Sequence, residues 1–486
     1  MNIQNLFARH RLVLLAASLS VFQLNARAEE DAPPPSVQVH GYSTLGYSSV
    51  VRESNDPLGY NYGTMDKSGT YLYNSLVGLN LSYVFNDEVT FYGQMTALGS
   101  TPASGAVTQS YPVKMDMAFL NYHPTDWLDI RVGRQIMPTW MYSEQIDVGV
   151  TYPWIRPPSD VYNLAPMKSG TGVGLDFKKN LFDVVDVVVG ARAGQALYND
   201  DDAYANTANL NRVFIGFGEF SFNNMLKLRA SYGTTVSNGT KVKNTAEIKS
   251  SIDGSSVLTA YGAAIAGGTA AAQAAAGAKA SELLQAGIVR NVNNIYSTEF
   301  TFYSAGATFD FQGLQLIGEY AATNQRVGSI AAPDEGYVAI APTSGTYRVR
   351  SWYTTAAYHL GDWTPHLTYS AVKKDWINGQ NNEGKIYTNT NSGSAAMNPI
   401  IQAVGEAIIN GAMAPYQNAT QRMNTITAGL NYNFTPTIVG KVQWEQVRTW
   451  VGEIATPPPY VQFINGQQVA SNNILNIAEA AVSFVF

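Results

Sequence analysis

The chain has 486 residues, of which 45% are hydrophobic, 12% aromatic and only 14% charged. It contains no cysteine, which excludes disulfide bonds, thiol catalysis and cysteine-ligated metal sites. The formal net charge of −6 argues against a nucleic-acid partner, because such proteins carry basic patches. After residue 30 there is no run of about eighteen apolar residues, so the sequence predicts no transmembrane helix.

The N-terminus has the features of a secretory signal peptide. Arg9 and Arg11 precede an apolar run over residues 12–22, and Ala26-Arg27-Ala28 fits a small-x-small cleavage site. Cleavage after this site removes three arginines and no acidic residue, which lowers the formal net charge from −6 to −9. We therefore assign residues 1–28 to a signal peptide and expect the remainder to be exported.

The rest of the chain carries a repeated period-two pattern. In residues 71–85, Leu79 and Leu81 alternate with Asn80 and Ser82 over a length greater than the roughly 5–6 residues of a typical globular strand. The same alternation recurs in residues 183–192, 225–233 and 425–434. Such a pattern is typical of a wall that has lipid on one side and water on the other.

Two classes of connection separate these strands. The short ones have tight-turn composition: Asn86-Asp87, Pro124-Thr125-Asp126, residues 180–182, Asn223-Asn224, Gln312-Gly313, Gly361-Asp362 and Thr435-Pro436. The long ones cover residues 52–69, 99–113, 135–170, 194–209, 238–296, 328–345, 377–420 and 451–472. Short and long connections alternate strictly, which predicts about 16 strands. We therefore expect an all-β fold, a transmembrane antiparallel β-barrel in which residues 29–486 form one domain.

Aromatic residues flank the short turns. They are Phe85, Phe177, Phe222, Phe311 and Phe434 before turns, Trp127 and Trp363 after turns, and Phe486 at the end of the last strand. Aromatic residues at one depth are typical of the girdle at a membrane interface. A soluble β-sandwich is the alternative, but it predicts shorter strands and loops that do not sort by length.

Two of the long outer loops contain helical inserts. The loop at residues 238–296 has an Ala-rich stretch over 256–290, and the loop at 377–420 has apolar residues at helical spacing over 395–413. These inserts are either lids over a pore or segments that pack on themselves at the rim. We favour packing at the rim.

The third long loop, residues 135–170, interrupts the alternation and includes TYPWIRPPSDVYN at 151–163. A barrel of this size is too wide for its own side chains to fill, so its lumen would be a water channel that something must narrow. Prolines would fix the path of an inward-folded loop, and aromatic residues would anchor it to the wall. Those residues are Pro138, Pro153, Pro157, Pro158, Trp140, Tyr142, Tyr152, Trp154 and Tyr162. We expect this loop to fold inward and form the constriction.

Charged residues on the loop and on inward-facing strand positions are the candidates for selecting solutes. They are Arg131, Arg134, Glu144, Asp147, Arg156, Asp160, Arg192 and Arg229. A basic wall opposite an acidic loop would create a field across the lumen that orients polar solutes. Arg134 and Arg156 have an alternative role, which is to anchor the loop to a wall carboxylate. Strand charges near the rim have alternatives too, namely solvation or contact with lipopolysaccharide.

Three segments carry a family resemblance: residues 37–50 (VQVHGYSTLGYSSV), 118–134 (AFLNYHPTDWLDIRVGR) and 478–486 (AEAAVSFVF). Together they resemble the Gram-negative outer-membrane porin superfamily, the sixteen-stranded trimeric porins. The resemblance implies a third loop folded into the lumen, association of three barrels, and a terminal Phe486 read by the insertion machinery. The loop sequence YPWIRPPSDVYN departs from the short acidic eyelet of general porins, which leaves a specialised branch, such as phosphate-selective porins, open.

We therefore expect an outer-membrane porin that lets small hydrophilic solutes and ions diffuse passively, surrounded by lipid and lipopolysaccharide and assembled as a homotrimer. Two alternatives stay open. One is a substrate-specific channel for anions, organic acids or sugars, with the loop aromatics as a slide for sugars; the other is a surface adhesin or receptor barrel. We expect no cofactor, no metal and no enzymatic activity, because the mature chain has four histidines and no hydrolase or P-loop motif.

Overall fold

A computed structural model describes residues 36–53, 69–99, 111–164, 167–197, 209–223, 225–238, 293–332, 338–340, 345–378, 386–388, 420–452, 460–462, 468–470 and 474–486. Most of these residues are in strands, and three short helical segments occur between residues 143 and 162. Within the described ranges, no helix has the length and apolar character needed to cross a membrane.

The strands follow the alternating pattern of the sequence. In chain order they are β1 (Ser36–Glu53), β2 (Leu76–Val84), β3 (Val89–Leu98), β4 (Val113–Thr125), β5 (Leu128–Ile136), β6 (Ser169–Leu181), β7 (Val185–Leu197), β8 (Asn209–Phe222), β9 (Leu226–Asn238), β10 (Asn293–Phe311), β11 (Leu314–Ala332), β12 (Val338–Ile340), β13 (Gly345–Tyr358), β14 (Trp363–Asn378), β15 (Ile386–Thr388), β16 (Thr420–Thr435), β17 (Ile438–Gly452), β18 (Tyr460–Gln462), β19 (Gln468–Ala470) and β20 (Ile474–Val485).

Sixteen of these strands close into one barrel, in the order β1 to β11, β13, β14, β16, β17 and β20. Closure is made by β1, which pairs antiparallel with β2 on one side and with β20 on the other. Thr44 in β1 therefore lies opposite both Leu76 and Ser483. The prediction of an all-β antiparallel barrel of sixteen strands is confirmed.

Side chains alternate between the two faces of the wall. On β2, Val77, Leu79 and Leu81 face outward and are 39–44% exposed. On β14, the inward-facing Thr368 and Ser370 are buried by the contents of the barrel. Because apolar side chains stay exposed on the outside while polar ones are covered inside, the wall has the polarity of a barrel that stands in lipid.

The aromatic residues beside the short turns face outward at one end of the barrel. Trp127 and Phe177 are about half exposed, and their rings stack with centroids 6.0 Å apart. Phe311, Phe434 and Phe486 are also exposed at this end. They form the ring of aromatic side chains that a membrane interface favours.

The short turns have the backbone geometry that their residues predict. Between β10 and β11, Gln312 and Gly313 both have positive φ, at 48° and 86°. Two successive positive φ angles are typical of a type I′ hairpin turn, whose second position favours glycine. The turn fixes the register in which Phe311 lies opposite Leu314.

The long connections differ in detail from the prediction. β10 and β11 extend past the predicted loop boundaries at 296 and 328, because their paired positions continue to Asn293 and Ala332. Two small antiparallel sheets outside the barrel, β12 with β15 and β18 with β19, were not predicted. The signal peptide and both helical inserts, residues 1–28, 256–290 and 395–413, lie outside the described residues.

Candidate functional site: the third loop inside the barrel

The third loop, residues 137–168, connects β5 to β6 and folds into the lumen. It contains 3-10 turns at Ser143–Gln145 and Gly149–Thr151 and a helical turn, α1, at Ser159–Tyr162. Its two ends meet at the wall, where the Met137 N–H donates to the Lys168 carbonyl at 2.9 Å. In the strand order, β14 and β16 lie half-way round the barrel from β5 and β6. The loop contacts both of these strands, so it crosses the full width of the lumen.

Two buried tryptophans anchor the loop to the wall. Trp154 is 1% exposed, packs edge-on against Tyr353 of β13 at 5.4 Å between centroids, and donates its Nε1–H to Thr368 Oγ1 at 2.7 Å. Trp140 is equally buried and packs edge-on against Phe302 of β10. Aromatic side chains of this size bury enough apolar surface to dominate local packing. Because both rings pack against the wall, they are not free to stack against a sugar that passes through the lumen.

A wall lysine holds the far part of the loop. The Lys441 ammonium on β17 donates to the carbonyls of Gly149, Tyr152 and Trp154 at 2.5, 2.6 and 2.5 Å. Its side chain is fully enclosed, with the Tyr152 ring centroid 5.0 Å from Nζ. The three donor positions of one ammonium are therefore matched to three loop carbonyls that would otherwise be unsatisfied.

The loop also approaches the seam where the barrel closes. Gly149 lies so close to β1 and β20 that a Cβ at this position would collide with the hydroxyls of Ser483 and Thr44. On β16, Asn431 Nδ2 donates to the Pro153 carbonyl at 2.8 Å. At position 149 the backbone of the loop touches the wall directly, so this position favours glycine, which has no Cβ.

The first part of the loop is held by β9, β10 and β11. Glu319 of β11 accepts the Met141 N–H at 2.7 Å through Oε1 and the Tyr162 hydroxyl at 2.8 Å through Oε2. The hydroxyls of Ser231 and Ser304 both donate to the Thr139 carbonyl. One carboxylate therefore ties the two ends of the loop to the same wall strand.

Asp160 is an anchor and does not face water. Its side chain is 1% exposed, and Oδ2 accepts a hydrogen bond from Ser370 Oγ at 2.6 Å. Its carbonyl accepts one from Ser351 Oγ at 2.7 Å, whereas Oδ1 is buried without a partner among the described residues. Burial raises the pKa of the Asp160 carboxyl to about 6, although the nearby hydroxyls of Ser370 and Thr425 lower it.

We expect docking of the third loop to weaken as pH rises through about 6. An acid whose pKa is raised in the docked state favours docking when it is protonated, so the stabilisation is full below its ordinary pKa of about 4 and is lost above 6. Proteolysis of the loop should be faster at pH 8 than at pH 5, after correction for protease activity on denatured chain. Asp160→Asn should reduce this difference; a variant that keeps the same pH dependence would rule out Asp160 as a source of it.

Asp147 is likewise engaged within the protein. The Lys168 ammonium lies 2.6 Å from Asp147 Oδ2 and 2.7 Å from Asp116 Oδ2 of β4. Burial lowers the pKa of Lys168, but the two carboxylates outweigh burial and raise it. The resulting bridge joins two parts of the loop to the wall.

Arg156 reaches the wall near the seam between β1 and β20 through an amide. Its Nε donates to Asn74 Oδ1 at 3.1 Å, and Asn74 Nδ2 donates to Glu479 Oε1 of β20 at 2.6 Å. Arg156 therefore serves the anchoring role that the sequence left open for it, with a carboxylate reached through Asn74.

Basic residues form a ladder on the wall from β5 to β9. Arg131 and Arg192 share Asp176, with closest distances of 2.9 and 2.6 Å. Phe217 of β8 then lies between two guanidinium groups, 5.5 Å from Arg192 and 4.7 Å from Arg229. Pairing with one carboxylate and stacking on an aromatic face are both favourable for guanidinium groups, which explains how two arginines are kept side by side.

The ladder ends in a second shared carboxylate. Glu219 lies 3.0 Å from Arg229 Nη1 and 2.8 Å from Lys227 Nζ. At the other end, Glu144 of the loop approaches Arg131 to 3.9 Å, and its side chain is 20% exposed. Glu144 is thus the loop carboxylate that remains next to the basic ladder and in contact with water.

The predicted site residues therefore separate into three groups. Arg131, Glu144, Arg192 and Arg229 lie together; Asp147, Arg156 and Asp160 are used in loop anchoring; and Arg134 lies apart. Arg134 has the outward parity of Val132, and its Nε donates to the Met115 carbonyl at 2.6 Å. Arg134 was expected at the constriction, but the side chains of β5 that point inward are those of Asp129, Arg131 and Gln135.

Sequence reasoning missed several residues that hold the site together. They are Asp116, Lys168, Asp176, Glu319 and Glu479. The period-two pattern places Asp176 and Glu319 on inward positions, so the direction of their side chains could be predicted from the sequence. The residues that they pair with could not be predicted, because pairing depends on the strand register and on the path of a loop that has no periodicity.

The chain forms a closed sixteen-stranded antiparallel barrel with a third loop folded into its lumen, and the architecture predicted from the sequence is confirmed. No protein-family model and no curated protein matches the chain. Among solved structures it is similar to OmpT of Vibrio cholerae, at 9% identity and TM-score 0.48, over 95% of this chain and 100% of that chain. It is also similar to the anion-selective porin from Comamonas acidovorans, at 12% identity and TM-score 0.46, over 93% and 100%. A third similar structure is the outer membrane channel DcaP of Acinetobacter baumannii, at 10% identity and TM-score 0.46, over 93% and 98%.

Proposed function

We propose that the protein is an outer-membrane porin, a water-filled channel through which small hydrophilic solutes and ions diffuse passively. The observation that carries the proposal is the third loop, which crosses the lumen of a closed barrel and is tied to both sides of it. An anchored loop inside an otherwise wide barrel supports a role in narrowing a channel.

The constriction of this channel lies between the loop and the basic ladder. Glu144 on the loop and Arg131 on β5 face each other there and keep contact with water, whereas Arg192 and Arg229 are buried further along the wall. Charges at a narrow point of a pore select ions by sign, and their effect is strengthened by low-dielectric walls. Asp147, Arg156 and Asp160 contribute by holding the loop in position.

The outer membrane is the proposed location, and its lipid and lipopolysaccharide the proposed surroundings. Exposed apolar side chains on the outside and exposed aromatic residues beside the short turns support this placement. A homotrimer follows from the porin resemblance of the sequence and would be tested by cross-linking of protein extracted in mild detergent. We assign no enzymatic activity to the barrel.

A substrate-specific channel is the second candidate, and the water-exposed members of the ladder, Arg131 and Lys227, favour an anion or organic acid among its solutes. Saturable, solute-dependent block of the current would identify such a channel, whereas a general porin shows none. The adhesin or receptor reading depends on outer loops that lie largely outside the described residues.

Single-channel recording in a planar bilayer under a salt gradient tests the proposal. We expect stable conductance whose reversal potential moves toward anion selectivity when Glu144 is changed to Lys, because the change replaces a carboxylate beside Arg131 with a cation. The matched control is Lys179→Glu. Lys179 is exposed near the short-turn end of β6, so this change should leave selectivity unchanged. A folded, inserted protein without conductance would overturn the proposal.

A further inference from the structure

A row of basic residues crosses three neighbouring strands on the outside of the barrel. Arg350 of β13 lies directly opposite Lys373 of β14, and Lys373 lies directly opposite Arg422 of β16. Trp450 of β17 follows next in the same row, opposite Arg422. We call Arg350, Lys373 and Arg422 the outer basic row.

The outward direction of the row follows from alternation on each strand. Its neighbours along the chain, including Val349, Ser351, Val372 and Met423, are buried inside the barrel. The side chains of Arg350 and Lys373 are 43% and 37% exposed, and Arg422 is exposed as well. The row therefore belongs to the surface that faces lipid and not to the channel.

The charges of the row are only partly compensated. Asp375 accepts a hydrogen bond from Arg350 Nη2 at 2.5 Å and lies 2.7 Å from Lys373 Nζ. No ion pair of Arg422 is found among the described residues, and two further outward arginines, Arg348 and Arg448, flank the row. Like charges directly opposite each other destabilise a sheet, so this arrangement favours a bound anion.

The row lies at the depth where lipid head groups are expected. It is on the half of the strands that leads to the long connections, and Trp352 and Trp450, each about 40% exposed, adjoin it. Tryptophan is enriched at the boundary between acyl chains and head groups. Basic side chains at that boundary reach the phosphate level with their charged ends.

We propose that the outer basic row binds the phosphate groups of an anionic lipid in the outer leaflet. The proposal rests on the proposed outer-membrane location. Neighbouring strands are about 4.8 Å apart, so the three basic groups span roughly 10 Å, which suits a phosphorylated glycolipid head group. Two guanidinium groups offer paired N–H donors that match phosphate oxygens, and the lysine between them adds a point charge.

Native mass spectrometry of the detergent-solubilised full chain tests this site. The probes are diphosphorylated lipid A, the same lipid with its phosphates removed, and inorganic phosphate as a free source of the anion. The variants are Arg350→Gln/Lys373→Gln/Arg422→Gln and the milder Lys373→Gln. Lys179→Gln is the control, since Lys179 is exposed on β6 near the opposite end of the barrel.

We expect the native protein to retain lipid A and to release both the dephosphorylated lipid and free phosphate. At about 1 kcal/mol for each basic residue, the triple variant should bind lipid A about a hundredfold more weakly and Lys373→Gln about fivefold, with Lys179→Gln unchanged. Equal retention by the triple variant and the native protein, or equal retention of the dephosphorylated lipid, would overturn the proposal.

Folding of the triple variant is checked by its thermal stability in detergent without lipid, which should stay close to that of the native protein because relief of repulsion offsets the loss of the two ion pairs of Asp375. If the triple variant does not fold, the single variant decides the outcome. Failure of the channel proposal would appear as silence in bilayer recordings, which is a separate result from loss of lipid retention.

Discussion

Lys441→Met is expected to release the far part of the third loop from the wall. The change removes the donor for the carbonyls of Gly149, Tyr152 and Trp154, and three buried acceptors then lack partners. At about 1 kcal/mol or more for each, docking of the loop should weaken by about 3 kcal/mol, offset in part because a buried charge is also removed. The expected result is rapid proteolysis between residues 137 and 168 and a larger, noisier current.

Lys227→Met is the matched control for this prediction. Lys227 is also a lysine on the inner face of the wall, but its ammonium lies 2.8 Å from Glu219 on the adjacent strand and does not hold the loop. It should leave proteolysis of the loop unchanged. If Lys441→Met and Lys227→Met behave alike, the three carbonyl contacts do not hold the loop.

Trp154→Ala should have an effect of similar or greater size. Removal of a buried tryptophan typically costs about 3–5 kcal/mol, because the lost apolar contacts are not replaced and a cavity remains. Here the change also leaves the hydroxyl of Thr368 without the indole N–H and removes the ring that packs on Tyr353. We expect the segment around residue 154 to become susceptible to protease while the barrel stays resistant.

Trp444→Ala serves as the control, because Trp444 is on the same half of the barrel but faces outward and is 40% exposed. Its removal should not change protease sensitivity of the loop. If residues 149–156 stay protected from protease in Trp154→Ala, the tryptophan fills space without fixing the path of the loop.

The barrel was predictable because its information is local. Period-two alternation identifies the strands, and residues such as Gln312-Gly313 identify the turns by the φ angles they allow. The ends of the strands, such as Asn293 and Ala332, were predicted less accurately. Pairing there continues past the predicted loop boundaries, and its extent depends on the partner strand.

The site was predictable only in part. Alternation placed Arg131, Arg192 and Arg229 on the inner wall, where they form one ladder. The third loop has no period, so whether Asp160 or Glu144 would face water depended on its path across the barrel. That path is fixed by distant wall residues such as Lys441 and Glu319, whose partners the chain order does not indicate.

Removal of the third loop tests whether this loop sets the size of the proposed channel. Ile136 lies opposite Ser169, and Met137 N–H donates to the Lys168 carbonyl, so Asn-Gly can replace residues 138–167 as a two-residue hairpin turn. We predict that the native barrel conducts and that the loop-free barrel conducts at least about twofold more, with weaker ion selectivity. Equal conductance and equal selectivity in the two folded barrels would show that the third loop does not narrow the channel.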